Sequence, residues 1–147
     1  MEDAYGGILN LVFIVVFLLL AIGILGLVVS YTKAFKMKGE VLTAIESYEG
    51  SKCTENSSAC YKKVVSSAER LGYSPTSLNC PSDYTLVGES KDKGYYCLKT
   101  VASEDEKANI YKIIVQIDIN LPIINKIMGL TVFQVNGETR PVYKSYD

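Results

Sequence analysis

The sequence predicts an α+β fold: a long N-terminal helix, transmembrane in its first half and amphipathic in its second, then a short second helix and a four- to five-stranded antiparallel sheet. Three observations carry this. No charged residue occurs between Ala4 and Thr32. Apolar residues then recur at three- and four-residue spacing as far as Tyr48, and in the last third of the chain they alternate with polar ones.

The apolar run comes first. Its only strongly polar side chain is Asn10, and Tyr5 and Tyr31 bracket it as interfacial aromatics do. A hydrocarbon core of about 30 Å requires about 20 apolar helical residues, which this stretch exceeds. A bundle-core helix is the plain alternative, but such helices seldom run this long without a charge. A cleaved secretory signal fits less well. It would open on basic residues and carry a shorter apolar core, whereas this chain opens Met1-Glu2-Asp3. Residues 1–32 are therefore expected to form a retained membrane anchor.

Beyond Ser30 the pattern becomes one-sided. Ala34, Met37, Val41, Ile45 and Tyr48 fall on one helical face, and Lys36, Lys38, Glu40, Glu46 and Glu49 occupy most of the rest. Gly39 costs a helix about 1 kcal/mol relative to Ala, so a bend can form there. Gly50 is placed to end the helix. One helix from about Ala4 to Glu49 is expected, with residues 33–50 as its amphipathic continuation and residues 51–147 as an α+β head domain.

Within the head, Ser57 or Ser58 can cap a second helix whose stripe is Tyr61, Val64, Val65, Ala68 and Leu71 and whose stop is Gly72. Asn56-Ser57-Ser58 matches a glycosylation acceptor, a triplet common by chance. Residues 73–82 read as loop. Tyr84 to Gly88 and Tyr95 to Val101 form a hairpin around a polar turn. Ile110 to Asn120 alternates, with Tyr111, Ile113, Val115, Ile117 and Ile119 on one face and Lys112, Gln116, Asp118 and Asn120 on the other. Pro122 ends that strand, and Ile123 to Met128 is expected to make one helical turn. A strand from Leu130 to Val135 follows, then a hairpin turn at Asn136-Gly137, then Glu138 to Tyr143, where Pro141 demands a sheet edge.

Four cysteines, Cys53, Cys60, Cys80 and Cys97, lie in the head, and the chain has no histidine. None forms a C-x-x-C pair, so metal binding is not expected. An even number in a small domain favours two disulfides and an oxidising compartment, against four reduced thiols in a cytosolic domain. Three connectivities exist. Cys53–Cys60 with Cys80–Cys97 is preferred because each closes a local loop. Charge points the other way: Lys33, Lys36 and Lys38 follow the span and two acids precede it, which by the positive-inside rule places the head in the cytoplasm.

Site chemistry is sparse. Without histidine the commonest general base is missing, no Gly-rich phosphate loop or nucleophile elbow occurs, and no cysteine is marked as activated. Neither an enzyme nor a cofactor is expected. With a formal net charge of −1 and no strong basic patch, neither is a nucleic-acid partner. The 11 tyrosines suit sheet and core packing, or a contact surface between subunits.

The stretch ILNLVFIVVFLLLAIGILGLVV, its amphipathic continuation to about Glu49, the cysteine-bearing globular part and the terminal antiparallel sheet together resemble the type IV pilin superfamily, including pseudopilins and the minor pilin-like proteins of Tad-type systems. The closing stretch INLPIINKIMGLTVFQVNGETRPVY is similar to the end of small pilin-like proteins of Gram-positive bacteria. The resemblance is architectural and spans nearly the whole chain. It implies a structural subunit whose apolar half-helix sits first in the membrane and then in a filament core. An acid near the N-terminus, here Glu2 or Asp3, would set register against a neighbour. Asn10, Gly23 and Gly26 are the polar and small groups available for helix–helix contact in lipid. The residues ahead of the apolar run do not match the family's basic leader ending in Gly, and cleavage at Gly6-Gly7 would remove both acids. The resemblance also eases the topology conflict, since pilin-like proteins often carry basic residues just past the apolar segment and expose that end outside, with the leader's charges setting orientation. The implied partners are membrane lipid, other pilin-like subunits and an assembly platform. A membrane-tethered extracytoplasmic binding domain that never polymerises is the alternative.

Overall fold

The computed structural model of the chain describes residues 2–50, 53–104, 107–118 and 132–143. The first helix, α1, runs Glu2–Ser47 without interruption, about 69 Å at 1.5 Å per residue. Gly39 does not break it. Thr43 donates its hydroxyl to the Gly39 carbonyl at 2.8 Å, and Ser47 does the same to Thr43 at 2.7 Å, so these polar side chains are satisfied along the helix itself. The helix stops where the sequence places the stop. Glu49 and Gly50 are left-handed, at φ 53° and 67°, and the Gly50 amide donates back to the Ile45 carbonyl at 2.8 Å. A Cβ at Gly50 would also collide with the Tyr111 ring. Tyr48 departs from expectation: it lies in the turn that closes the helix, its amide donating to the Ala44 carbonyl at 3.1 Å, and its side chain is 39% exposed while Ala44 is buried.

Helix α2 spans Ala59–Leu71. The Ser58 hydroxyl caps it by accepting from the Tyr61 amide at 3.1 Å. It ends in the left-handed Gly72, with Gly72 donating to Glu69 and Tyr73 to Ala68, the paired bonds of a Schellman stop. Its apolar stripe, Tyr61, Val64 and Ala68, is buried against the second half of α1. Glu40 on α1 accepts from Arg70 and from Ser67, both at 2.9 Å, and so joins the two helices.

Five antiparallel strands follow: β1 Thr85–Gly88, β2 Gly94–Ala102, β3 Ala108–Asp118, β4 Val132–Glu138 and β5 Val142–Tyr143. The order is β1-β2-β3-β4, and β5 pairs with β3 as well. Asn136-Gly137 does not make the expected hairpin turn. Both residues lie inside β4, opposite Ile114 and Ile113. A type I′ turn needs positive φ at both central residues, and neither is among the positive-φ residues. Gly137 serves close approach instead. A Cβ there would meet the Lys38 side chain on α1 at 3.0 Å and Ile113 at 3.2 Å.

The last strand also departs from a hairpin. After β4, three residues, Thr139 to Pro141, stand opposite two, Ile110 and Tyr111, and β5 resumes along the same edge of β3. At this bulge the Thr139 amide donates to the Tyr111 carbonyl and its hydroxyl accepts from the Tyr111 amide, both at 3.0 Å. Pro141, lacking an N–H, falls in the break on the outer edge. The expected turn at Ile123 to Met128, with Ile119, Asn120 and Leu130, lies outside the described residues.

Strand β3 is buried on both faces, where alternation predicted one polar face. Tyr111, Ile113 and Val115 pack beneath α1 with Met37, Val41 and Ile45. On the reverse, Ile114 joins Leu78 and Cys97 in a second cluster flanked by Cys80, Tyr84 and Leu86. The loop that follows α2 makes that cover, and the disulfide Cys80–Cys97 holds it down. Gln116 is buried there with its amide satisfied, donating to the Ser77 carbonyl and accepting from Gln134. The second disulfide is Cys53–Cys60, so both close the local loops preferred from the sequence.

Candidate assembly surface on the N-terminal helix

The head packs only on the second half of α1. From Ile8 to Val29 the large apolar side chains are 46–72% exposed, apart from the half-buried Leu27. The most apolar window of the helix has a mean hydropathy of 3.3 and is 6% buried. A core helix of a water-soluble protein would be mostly covered; this one is bare, long enough to cross a bilayer and near the N-terminus. Among the described residues it is the one helix that meets those criteria. Side chains of every azimuth share the character, and Phe13, Ile14, Phe17 and Leu18 line a shallow, wholly apolar crevice between them.

The hydroxyls just past this stretch are satisfied along the helix itself. Ser30 donates to the Gly26 carbonyl at 3.0 Å and Thr32 to the Val28 carbonyl at 2.8 Å, which removes the cost of an unsatisfied hydroxyl in hydrocarbon. Asn10 is exposed. It stands thirteen residues from Gly23 on one helix, about 220° around the axis and about 20 Å along it. Asn10 therefore does not share a face with Gly23, whereas Gly26, three residues from Gly23, does. The backbone of Glu2 and Asp3 belongs to α1; their side chains lie outside the described residues.

Where the helix leaves the head, an aromatic cluster forms. The Tyr31 ring is 4.5 Å from Phe35 and 4.8 Å from Phe133 of β4, and the Lys38 ammonium stands 4.5 Å over Phe35. On the other flank a cleft is lined by Val29, Ser30, Lys33, Tyr73, Ile117 and Asp118. Sequence reasoning singled out Tyr31 and the lysines but not the two phenylalanines. Phe35 carried a signal, four residues from Tyr31 on the same face. Phe133 carried none, because it arrives from a strand a hundred residues later.

Titration within the head follows burial and pairing. Burial pushes the Tyr73 hydroxyl far up, partly opposed by its hydrogen bond to the Gln116 carbonyl, with Asp118 adding to the rise. Burial does the same to Tyr96, which donates to the Cys53 carbonyl at 2.9 Å. Burial, then Glu89, raises Tyr95 to about 12. On the surface, the hydrogen bond between Lys99 and Asp83 lowers the carboxyl and raises the amine. Among the described residues no group of three or more His, Cys, Asp or Glu could hold a metal ion. No protein-family model, curated protein or solved structure matches the chain.

Proposed function

We propose that the protein is a non-enzymatic, membrane-anchored structural subunit resembling a pilin or pseudopilin. It assembles with like subunits through the apolar half of α1 and carries its α+β head outside the cytoplasmic membrane. One observation carries the reading: the uncovered apolar segment and the spine of the head are the same unbroken 46-residue helix. A domain that only needs tethering is served by a flexible linker. A rigid helix fixes the head's position relative to the apolar segment, so packing of apolar helices against one another also arranges the heads. The two disulfides agree with an oxidising compartment.

In this reading Glu2 or Asp3 meets the N-terminal amine of a neighbour, since a carboxylate in an apolar core persists only when paired. The test is the double variant Glu2→Gln with Asp3→Asn, with a photo-crosslinker at Val16. Membrane insertion is expected to be intact and crosslinking between subunits to fall about tenfold, the equivalent of roughly 1.4 kcal/mol. Unchanged crosslinking removes the register role. If the native chain gives no crosslinks either, the tethered binding domain is the better description. A reporter fused after Asp147 that works only outside the cytoplasm checks the topology independently.

A further inference from the structure

The spacing along α1 determines how near the head lies to the membrane. If Ile8 to Val29 is the span, it supplies about 33 Å of helix, enough for a hydrocarbon core of about 30 Å. Yet Ala34, only five residues on, is already fully buried in the head. That is about 7.5 Å of rise. Each headgroup layer is itself about 5 to 7.5 Å thick. No stalk separates the two, and tilt of the helix would only bring the head closer.

The end of the head from which the helix emerges is composed for such a place. Tyr31, Phe35 and Val132 are each about 40% exposed there, and Tyr31 packs on Phe133. These are amphipathic and apolar groups continuous with the bare half of the helix, as at membrane–water boundaries. Lys33 lies about 6 Å and Lys36 about 10 Å of rise beyond Val29, and lysine stems let the ammonium reach the phosphate level. Lys33 lines the cleft beside the helix, where Asp118 is the acid; Lys36, three residues further along and so on the same side of the helix, is exposed.

We infer that this end of the head is a docking surface for the bilayer itself, seated in the headgroup layer, with Lys33 and Lys36 contacting the phosphates of anionic phospholipid. The inference rests on the membrane-spanning reading of α1. It makes the head and the lipid surface one unit before any partner subunit is met.

The chain has no Trp, so one introduced indole reports alone. The full chain is reconstituted in vesicles of phosphatidylcholine and phosphatidylglycerol carrying nitroxide lipids labelled at the headgroup or deep in the acyl chain. Phe133→Trp is expected to be quenched by the headgroup label at least threefold more strongly than Tyr143→Trp, which sits in the far strand and is 61% exposed. Val132→Trp should repeat the result if the Phe133 variant folds poorly. Val16→Trp should be quenched by the deep label. If it is not, the span itself is wrong. If it is, and Phe133→Trp and Val132→Trp are quenched no more than Tyr143→Trp, the head stands clear of the membrane and the docking surface is refuted. Replacing Lys33 and Lys36 with Gln should reduce the preference for phosphatidylglycerol, about fivefold for each lysine. An unchanged preference overturns the assignment of anionic phosphate.

Discussion

Between Ile8 and Val29, apolar side chains of α1 point in every direction and the large ones, Leu27 apart, stay at least 46% exposed. Between Ala34 and Ile45 of the same helix, Ala34, Met37, Val41, Ala44 and Ile45 are at most 3% exposed, while Lys36 and Glu46 remain open. Backbone hydrogen bonding is identical in both halves. What differs is the solvent each is written for. In lipid there is no inside to prefer, so apolarity is spread around the whole circumference. In water only one stripe is rewarded, the one that the sheet and α2 can cover. A helix that is greasy all round and then striped therefore marks its own crossing from one medium to the other.

The sharpest way to break that comparison is to make the same truncation in each half. Ile45→Ala, in the core beneath the sheet, is expected to destabilise the head by about 2–5 kcal/mol. Leu18→Ala should leave it within about 0.5 kcal/mol of the parent. Urea unfolding of the full chain in detergent, followed by near-ultraviolet circular dichroism, measures both. Equal losses would mean that the first half is packed against the head after all.

Next in size are the cross-links, which belong to the water-exposed part alone. Loss of Cys80–Cys97 through paired Ser substitutions should cost about 3 kcal/mol on chain-entropy grounds. Loss of Cys53–Cys60 should cost about 0.8 kcal/mol less, because its ends are 7 residues apart rather than 17. The same unfolding measurement ranks the two, and a reversed order would show that the second apolar cluster needs no clamp.

Alkaline pH should act on the head and spare the span. Below pH 10 the folded and unfolded chains hold the same phenolic protons and stability is level. Above it the unfolded chain releases protons that buried Tyr73 and Tyr96 retain, so stability falls as pH rises. The slope is at most about 1.4 kcal/mol per pH unit for each tyrosine, and Tyr96→Phe should flatten it. Helicity of the apolar half, read by far-ultraviolet dichroism, should persist through the same range. A slope unaltered by Tyr96→Phe would assign the alkaline loss to other groups.

The smallest effect is expected at Gly39. It sits in the interior of α1, and a Cβ there meets nothing within 4 Å. Gly39→Ala should stabilise the head by up to about 1 kcal/mol. A loss of stability or of assembly would show that the flexibility of this point is used.

Features encoded by near neighbours were legible in the sequence. The caps of α2 at Ser58 and Gly72, the stop at Gly50 and the buried face through Val41 and Ile45 all rest on residues within a few positions of each other. The misreadings share the opposite property. Asn136-Gly137 carries a strong local turn signal, but Gly137 is there because α1 crosses it at Lys38, a residue a hundred positions earlier. Gln116 and Ile114 sit on what alternation marks as the outer face of β3, and are buried because a distant loop folds over them.

By itself the sequence determined where the apolar helix begins and ends, which of its faces would need cover, where α2 is capped and how many cysteines could pair. Each follows from spacing along one chain, set by a rise of 1.5 Å and a turn of 3.6 residues. Tertiary structure alone decided that β5 continues the β4 edge across a bulge, that both faces of β3 are covered, and that Phe133 meets Tyr31 where the helix leaves the head. Those outcomes depend on which distant surfaces meet, and a glycine or an alternating strand has the same local energetics before that meeting is chosen.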